Sequence, residues 1–174
     1  MTKTNTIVTI FVTNLGKYNE GELVGMWLPL PASQEAITEA LEKIGINDRY
    51  EEYFITDYES DMLEVKEYSN INRLNEQAEM LAELDEYEME IVEVLLHEGG
   101  YTLGEALDKK DDCIVYSDCG DMTDVAMQYV AETGMLDNVP ETISRYFDYE
   151  ALGRDMSFEG QYVFTAHGNC VQIL

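Results

Sequence analysis

Positive charge is scarce in this 174-residue sequence. Ten Lys and Arg stand against 36 Asp and Glu, which gives a formal net charge of -26. Such a chain lacks the basic surface that binds nucleic acid through its phosphates, so nucleic acid is excluded as a partner. It also lacks any apolar stretch near the roughly 20 residues that a membrane-spanning helix needs. The N-terminus has neither the basic segment nor the small-residue cleavage site of a signal peptide.

Cysteine is equally scarce. Cys113, Cys119 and Cys170 are an odd number, and no two of them form a CxxC pair. This usage is typical of buried thiols in a reducing compartment rather than of a disulfide framework. The sequence therefore predicts a cytoplasmic protein whose thiols are structural.

Motifs for catalysis and for cofactors are missing as well. His97 and His167 are isolated, and neither a GxGxxG nor a P-loop pattern occurs. An EF-hand starting at Asp118 fails, because its twelfth position is Tyr129 instead of Glu. Neighbouring carboxylates are expected by chance among 36 acids, so they do not indicate acid–base chemistry. We predict no catalytic residue, no cofactor and no metal site.

What the sequence does contain favours folding. Hydrophobic residues make up 45% of the chain, and there are 12 Tyr and 5 Phe, whereas disordered acidic chains have few such residues. The acids are not confined to a tail. They number ten against four bases in residues 1–60, thirteen against two in 61–105, and thirteen against four in 106–174. Because this much like charge opposes compaction, we expect it to have a functional purpose.

The first 60 residues predict a small α+β unit. Three stretches rich in β-branched and aromatic residues are predicted strands, at 6–13, 22–28 and 52–58. Residues 14–21 predict a turn-rich connection. Ser33 is suited to begin a helix, and Gly45 is suited to end it.

The middle of the chain predicts helices. Apolar residues recur at helical spacing from Ile71 to His97, and Asp85 with Glu88 forms an acidic variant of a capping box. We therefore predict one helix that ends near Leu84 and a second that runs to His97. A further capping box predicts a short helix from Thr102 to about Lys109.

The last third predicts mixed structure again. Residues 113–116 and 161–166 are predicted strands, and 121–132 is a predicted helix. Another helical stretch begins near Pro140, with Asn138 as its predicted cap. The fold class predicted from these patterns is α+β. The chain is expected to be elongated, with three small units at 1–61, 62–103 and 104–174. The two outer units mix sheet and helix, and the middle one is helical.

The most informative pattern is a row of six glutamates. Their spacings of 3, 4, 3, 4 and 3 place them on one face of a helix, or of two nearly aligned helices: Glu76, Glu79, Glu83, Glu86, Glu90 and Glu93. Between Arg73 and Lys109 there are eleven acids and no base. The five successive pairs of like charges at this spacing cost a helix about 1–2.5 kcal/mol. Helix stability therefore does not explain the row. An ordinary solvated face is the alternative. We interpret these glutamates as the phosphate-mimicking contacts to a basic partner.

Several segments resemble one family over nearly the whole chain. They are Tyr18-Asn19-x-Gly21 with Gly25-x-Trp27 near the start, the acidic helical stretch 71–101, YFDYEALGRDM at 146–156, and YVF at 162–164. In this order they resemble the ArdA antirestriction proteins carried by conjugative plasmids and transposons, which are mobile genetic elements.

This resemblance implies a function. It implies a non-catalytic, cofactor-free homodimer of three-part elongated shape. Its role would be to inhibit type I restriction–modification enzymes through their DNA-binding methyltransferase core, as an acidic DNA mimic. We expect the C-terminal unit, 104–174, to supply the dimer interface. Trp27, Tyr146 and Tyr149 are expected to pack inside or between units, without a binding role.

Three other classes remain open at this point. The first is an acidic sequestrator of another basic DNA-binding protein, such as a histone-like or nucleoid protein. The second is a halophilic protein whose charge maintains solubility, and the third is an enzyme of unknown class. A halophilic protein would spread its acids evenly over its surface. An enzyme would have a concave pocket with strongly perturbed titrating groups.

Overall fold

A computed structural model describes residues 5–174 of the chain. Its antiparallel sheets and intervening helices confirm the predicted α+β class. The chain divides into two compact units, Met1–Leu84 and Asp85–Leu174, here called unit 1 and unit 2. The division into three units stays a prediction. No helix in the described residues is long and apolar enough to cross a membrane.

Unit 1 contains a three-stranded antiparallel sheet and three helices. In chain order these are β1 (Val8–Asn14), α1 (Leu15–Asn19), β2 (Gly25–Leu30), α2 (Gln34–Lys43), β3 (Tyr53–Glu59) and α3 (Ile71–Ala82). The strand order is β2-β1-β3, so β1 lies in the centre. The predicted strands and helices of this region are therefore confirmed within a few residues.

Alternation along β1 decides which face of this sheet is buried. Val8, Ile10 and Val12 are each at most 1% exposed, and α2 and α3 both pack against the neighbouring strand β2. As predicted, the Ser33 hydroxyl accepts a hydrogen bond from an amide of the first turn of α2. Gly45 follows α2 with a φ of 84°, a backbone conformation that favours glycine.

One helix of unit 1 was not predicted. The segment 14–21, expected to be a turn, contains α1, and the buried Asn14 begins it. The Asn14 side chain accepts from the Lys17 amide at 3.0 Å and donates to the Ile44 carbonyl at 3.1 Å. One amide side chain thus ends β1, caps α1 and ties both to the end of α2.

Unit 2 begins with helices and ends in a second antiparallel sheet. Its elements are α4 (Glu86–His97), α5 (Leu103–Lys109), β4 (Cys113–Tyr116), α6 (Met122–Thr133), α7 (Glu141–Ser144), α8 (Tyr149–Glu159), β5 (Gln161–Phe164) and β6 (Cys170–Ile173). The strand order is β4-β6-β5. Part of its core is a cluster formed by Tyr116, Cys119, Val125, Ala126, Met156 and Cys170.

Both capping boxes predicted for unit 2 are present. Asp85 and Glu88 cap α4 reciprocally, and Thr102 and Glu105 do the same for α5. They satisfy amide groups that would otherwise lack a partner at each helix start. The break between α3 and α4 lies where the sequence predicted it.

Two predictions for the C-terminal region need correction. Pro140 precedes a single helical turn, and Asn138 does not cap it, because Pro140 itself is the residue before α7. The longer helix is α8, which Asp148 caps. The sequence also missed β6, the central strand of this sheet. Its Cys170 and Val171 are fully buried, and they lack the alternating pattern of a half-exposed strand.

Candidate partner-binding surface

Each unit is strongly acidic by itself. Unit 1 has 16 acids and 6 bases, and unit 2 has 20 acids and 4 bases. The excess in unit 2 is larger although the two units are of similar length. The acidic character is therefore a property of both folded parts.

On α3, three glutamates of the predicted row face solvent. Ile71, Leu74, Ala78 and Leu81 are each at most 4% exposed and form the buried side of this helix. Glu76 and Glu79 lie on the opposite, exposed side, and Glu83 follows as the exposed C-cap residue. The amphipathic pattern thus places this half of the row on the surface of unit 1.

Glu79 is also fixed in position. The buried Asn75 side chain donates to its carboxylate at 2.8 Å and accepts from the Ala32 amide at 2.7 Å. The helix that carries the glutamates is therefore anchored to the chain segment that follows β2. This contact limits the freedom of Glu79 while leaving it exposed.

On α4 the row is not uniform. Glu86 is exposed in the first helical turn, where a negative charge also favours the helix dipole. Glu93 is half-buried. Both carboxylates can still be reached from solvent.

Glu90 departs from the prediction. It is only 7% exposed, and its carboxyl group accepts hydrogen bonds from the Thr165 hydroxyl and, at 2.9 Å, from the Asn169 side chain. A group enclosed in this way is not available to a partner's cations. The prediction that Glu90 mimics a phosphate is therefore corrected, and its role in unit 2 is structural.

Five of the nine bases in residues 5–174 are held in ion pairs. These bases are Lys43, Arg49, Lys110, Arg145 and Arg154. The least exposed is Lys110, which lies 2.7 Å from Glu88 and 2.9 Å from Asp111. Its hydrogen bond to Glu88 is the main cause of a lowered pKa of that carboxyl group and a raised pKa of the amine.

The two histidines do come together. His97 and His167 line one cavity of about 140 Å³ in unit 2, with Glu93 and Glu98 among the other lining residues. Among residues 5–174, however, no group of three or more His, Cys, Asp and Glu is arranged to hold a metal ion. No local pattern indicates this proximity, because 70 positions separate the two residues.

The three thiols are free, as expected. Burial raises the pKa of all three, and that of Cys170 to about 11. Cys119 and Cys170 lie in the hydrophobic core of unit 2. Their environment disfavours the thiolate that nucleophilic chemistry requires.

The aromatic residues expected inside the protein are mostly outside. Trp27 is 41% exposed and Tyr146 is 82% exposed. Tyr149 is half-buried, and its ring contacts Phe147 edge-on with the centroids 5.0 Å apart. The expectation of packing inside a unit is therefore wrong for Trp27 and Tyr146.

Residues 10–171 match the family model described as antirestriction protein (ArdA). The matched residues include at least part of each of the six strands and every glutamate of the predicted row. The chain belongs to the ArdA antirestriction family. No curated protein matches the sequence.

Membership of the ArdA family assigns an antirestriction function to the chain and confirms the resemblance seen in its sequence. The family consists of inhibitors rather than enzymes, and its function connects it with restriction enzymes.

Proposed function

We propose that this protein inhibits a type I restriction–modification enzyme by occupying the DNA groove of its methyltransferase core as an acidic DNA mimic. The observation that carries the proposal is the exposure of the glutamates on α3 and at the start of α4, in a stretch of chain without any Lys or Arg. A surface with this charge pattern is complementary to a groove that binds phosphates.

The amount of charge suits a DNA-sized target. Duplex DNA has one charge per about 1.7 Å of axis, so 26 net charges correspond to about 44 Å, or roughly 13 base pairs. Neutralisation of phosphates supplies most of the affinity of non-specific DNA binding. An acidic protein can therefore replace DNA in a basic groove without copying any base.

Five carboxylates are proposed to stand in for phosphates. They are Glu76, Glu79 and Glu83 on unit 1, and Glu86 and Glu93 on unit 2. Each is a single exposed or half-exposed charge, and individual exposed charge pairs contribute little. The affinity is expected to come from their sum.

The proposed action needs no chemical step, cofactor or metal ion. Competition for the groove is sufficient to prevent the enzyme from engaging DNA. The protein would act in the cytoplasm, where the restriction enzyme meets incoming DNA.

We also propose that the protein acts as a homodimer, with residues 104–174 supplying the interface. Two copies would offer twice the charge and match roughly 26 base pairs by the same spacing of phosphates. Light scattering after size exclusion at micromolar concentration tests this. A dimer mass supports the proposal, and a monomer mass contradicts it.

Co-purification tests the partner directly. A tagged type I methyltransferase should retain the native protein, and an excess of duplex DNA should release it. Retention that DNA does not change would contradict mimicry. Failure to bind the methyltransferase, together with DNA-displaceable binding to a histone-like protein, would instead support a sequestrator of basic DNA-binding proteins.

A further inference from the structure

The sheet of unit 1 has a second face that the helices α2 and α3 do not bury. Directly paired residues have their side chains on the same face of a sheet. The register therefore places two rows opposite the buried face, and we call them the open sheet face: Trp27, Phe11 and Asp57 in one row, with Pro29, Thr9 and Glu59 in the next. Ile10 and Leu28, which alternate with these residues, are at most 4% exposed.

An aromatic pair occupies the middle of this face. The rings of Phe11 and Trp27 meet edge-on, with their centroids 5.2 Å apart, and the indole is 41% exposed. Gly25 leaves room for the pair, because a Cβ atom there would lie 2.6 Å from the Phe11 ring. The indole therefore packs against Phe11 while a large part of its surface stays open to solvent.

Two carboxylates lie beside the aromatic pair. Asp57 and Glu59 are exposed on β3. This strand pairs with β1, which carries Phe11, and β1 pairs in turn with β2, which carries Trp27. Neighbouring strands are about 5 Å apart, so both acids lie within the reach of one long side chain that rests on the rings. The two rows contain no Lys or Arg.

We propose that the open sheet face docks an arginine side chain of the protein partner. The aliphatic stem would rest on Trp27 and Phe11, and the guanidinium group would pair with Asp57 and Glu59. Arginine fits better than lysine, because its group is planar, weakly hydrated, stacks on aromatic rings and binds carboxylates through two hydrogen bonds.

This inference rests on the proposed function, since it takes the partner to be a basic protein groove. It adds a contact of a different kind from the glutamate row. Stacking on an indole depends less on ionic strength than exposed charge pairs do. Trp27 would therefore supply affinity that remains when salt weakens the carboxylate contacts.

The single tryptophan permits a direct first test without any enzyme. Its fluorescence is followed during titration with a hexa-arginine peptide and with a hexa-lysine peptide of equal charge. We expect a stronger emission change at lower concentration with arginine, and a weaker one in the D57N/E59Q variant. Equal responses to both peptides, or no response, would overturn the proposal.

The second test uses the type I methyltransferase at two salt concentrations. W27A should weaken binding about tenfold at both salt concentrations. W27F keeps an aromatic ring, so it should bind almost as tightly as the native protein, as a stacking contact requires. The matched control is Y68A, which removes a more exposed aromatic side chain of unit 1 that lies outside the open sheet face and should bind as the native protein does. Thermal melts of all three variants check that they fold.

The outcomes separate the two proposals. If native protein competes with DNA and W27A competes equally well, the arginine site is wrong and the mimic stands. If the native protein does not compete with DNA, the mimic is wrong. The peptide titration then decides alone whether the open sheet face selects arginine.

Discussion

The carboxyl group of Glu90 on α4 accepts a hydrogen bond of 2.9 Å from the side chain of Asn169, which lies 79 positions later in the chain. The Thr165 hydroxyl donates to the same carboxyl group. This contact joins the first helix of unit 2 to the segment between β5 and β6. A residue that the sequence assigned to the partner thus belongs to the interior.

Replacing Glu90 should reduce stability. In E90A, the Asn169 side chain loses its acceptor and the Thr165 hydroxyl keeps only the Asn169 carbonyl at 3.4 Å, so we expect the free energy of unfolding to fall by about 1–3 kcal/mol. Chemical denaturation followed by circular dichroism measures this. The control is E76A, which removes an exposed glutamate within a helix and should change stability by less than about 0.5 kcal/mol. Equal losses in the two variants would contradict the structural role of Glu90.

Two triple variants test whether the position of the acids matters. Both remove three exposed charges at helical spacing within unit 1: E76Q/E79Q/E83Q on α3 and its C-cap, and E35Q/E39Q/E42Q on α2. We expect the α3 variant to lose more affinity for the methyltransferase, while each single substitution weakens binding less than about fivefold. Competition binding measures both. Equal losses would mean that affinity follows net charge alone.

Acid should weaken the capped helix starts of unit 2. Hydrogen bonds from the Thr102 hydroxyl and amide lower the pKa of Glu105, and backbone amides lower that of Asp121. A carboxyl group with a lowered folded pKa stabilises the protein above its unfolded pKa, and this stability is lost as the pH falls through the folded value. We expect E105Q to be less stable than the native protein at pH 7.

The stability difference between E105Q and the native protein should shrink as the pH falls from about 5 to about 3, since the unfolded pKa of Glu is about 4.3. Comparing E105Q with the native protein at each pH cancels the charge repulsion among the other acids, because both proteins share it. Denaturation at four or five pH values gives the curve. A difference that does not change with pH would contradict the lowered pKa of Glu105.

The thiols should react slowly and in a fixed order. Burial raises the pKa of Cys170 to about 11, so its reactive thiolate is scarce at pH 8. Cys113 is half-buried, so a thiol reagent should modify it before Cys119 and Cys170. Mass spectrometry of the intact protein over time shows the order. Early modification of Cys170 would mean that the core of unit 2 opens readily.

Local signals in the sequence predicted much of the fold. The capping boxes at Asp85 and Thr102 and the alternation along β1 specify structure through residues a few positions apart, so a single sequence reveals them. The β6 strand was missed because burial on both sides removes its alternation. The helix α1 was missed although its cap is local, with the Asn14 side chain accepting from the Lys17 amide, because its five residues are too few to show a helical pattern.

The candidate surface was predictable to a similar extent. Helical spacing identified the exposed glutamates of α3, because helical periodicity alone decides on which side of the helix each residue lies. The burial of Glu90 depends on Thr165 and Asn169, and no local pattern carries that information. The exposure of Trp27 likewise follows from which face of the sheet the helices cover, which is a tertiary property.

Binding of one type I methyltransferase to duplex DNA and to this protein, measured across about 50–300 mM salt, tests the mimic most directly. DNA binding weakens steeply with salt, because it releases counterions condensed on the duplex. The protein has a lower charge density and condenses fewer ions. We therefore predict mutually exclusive binding, with a shallower salt dependence for the protein than for DNA. Simultaneous binding of both ligands, or inhibition that excess DNA does not relieve at equilibrium, would contradict mimicry and indicate an allosteric inhibitor.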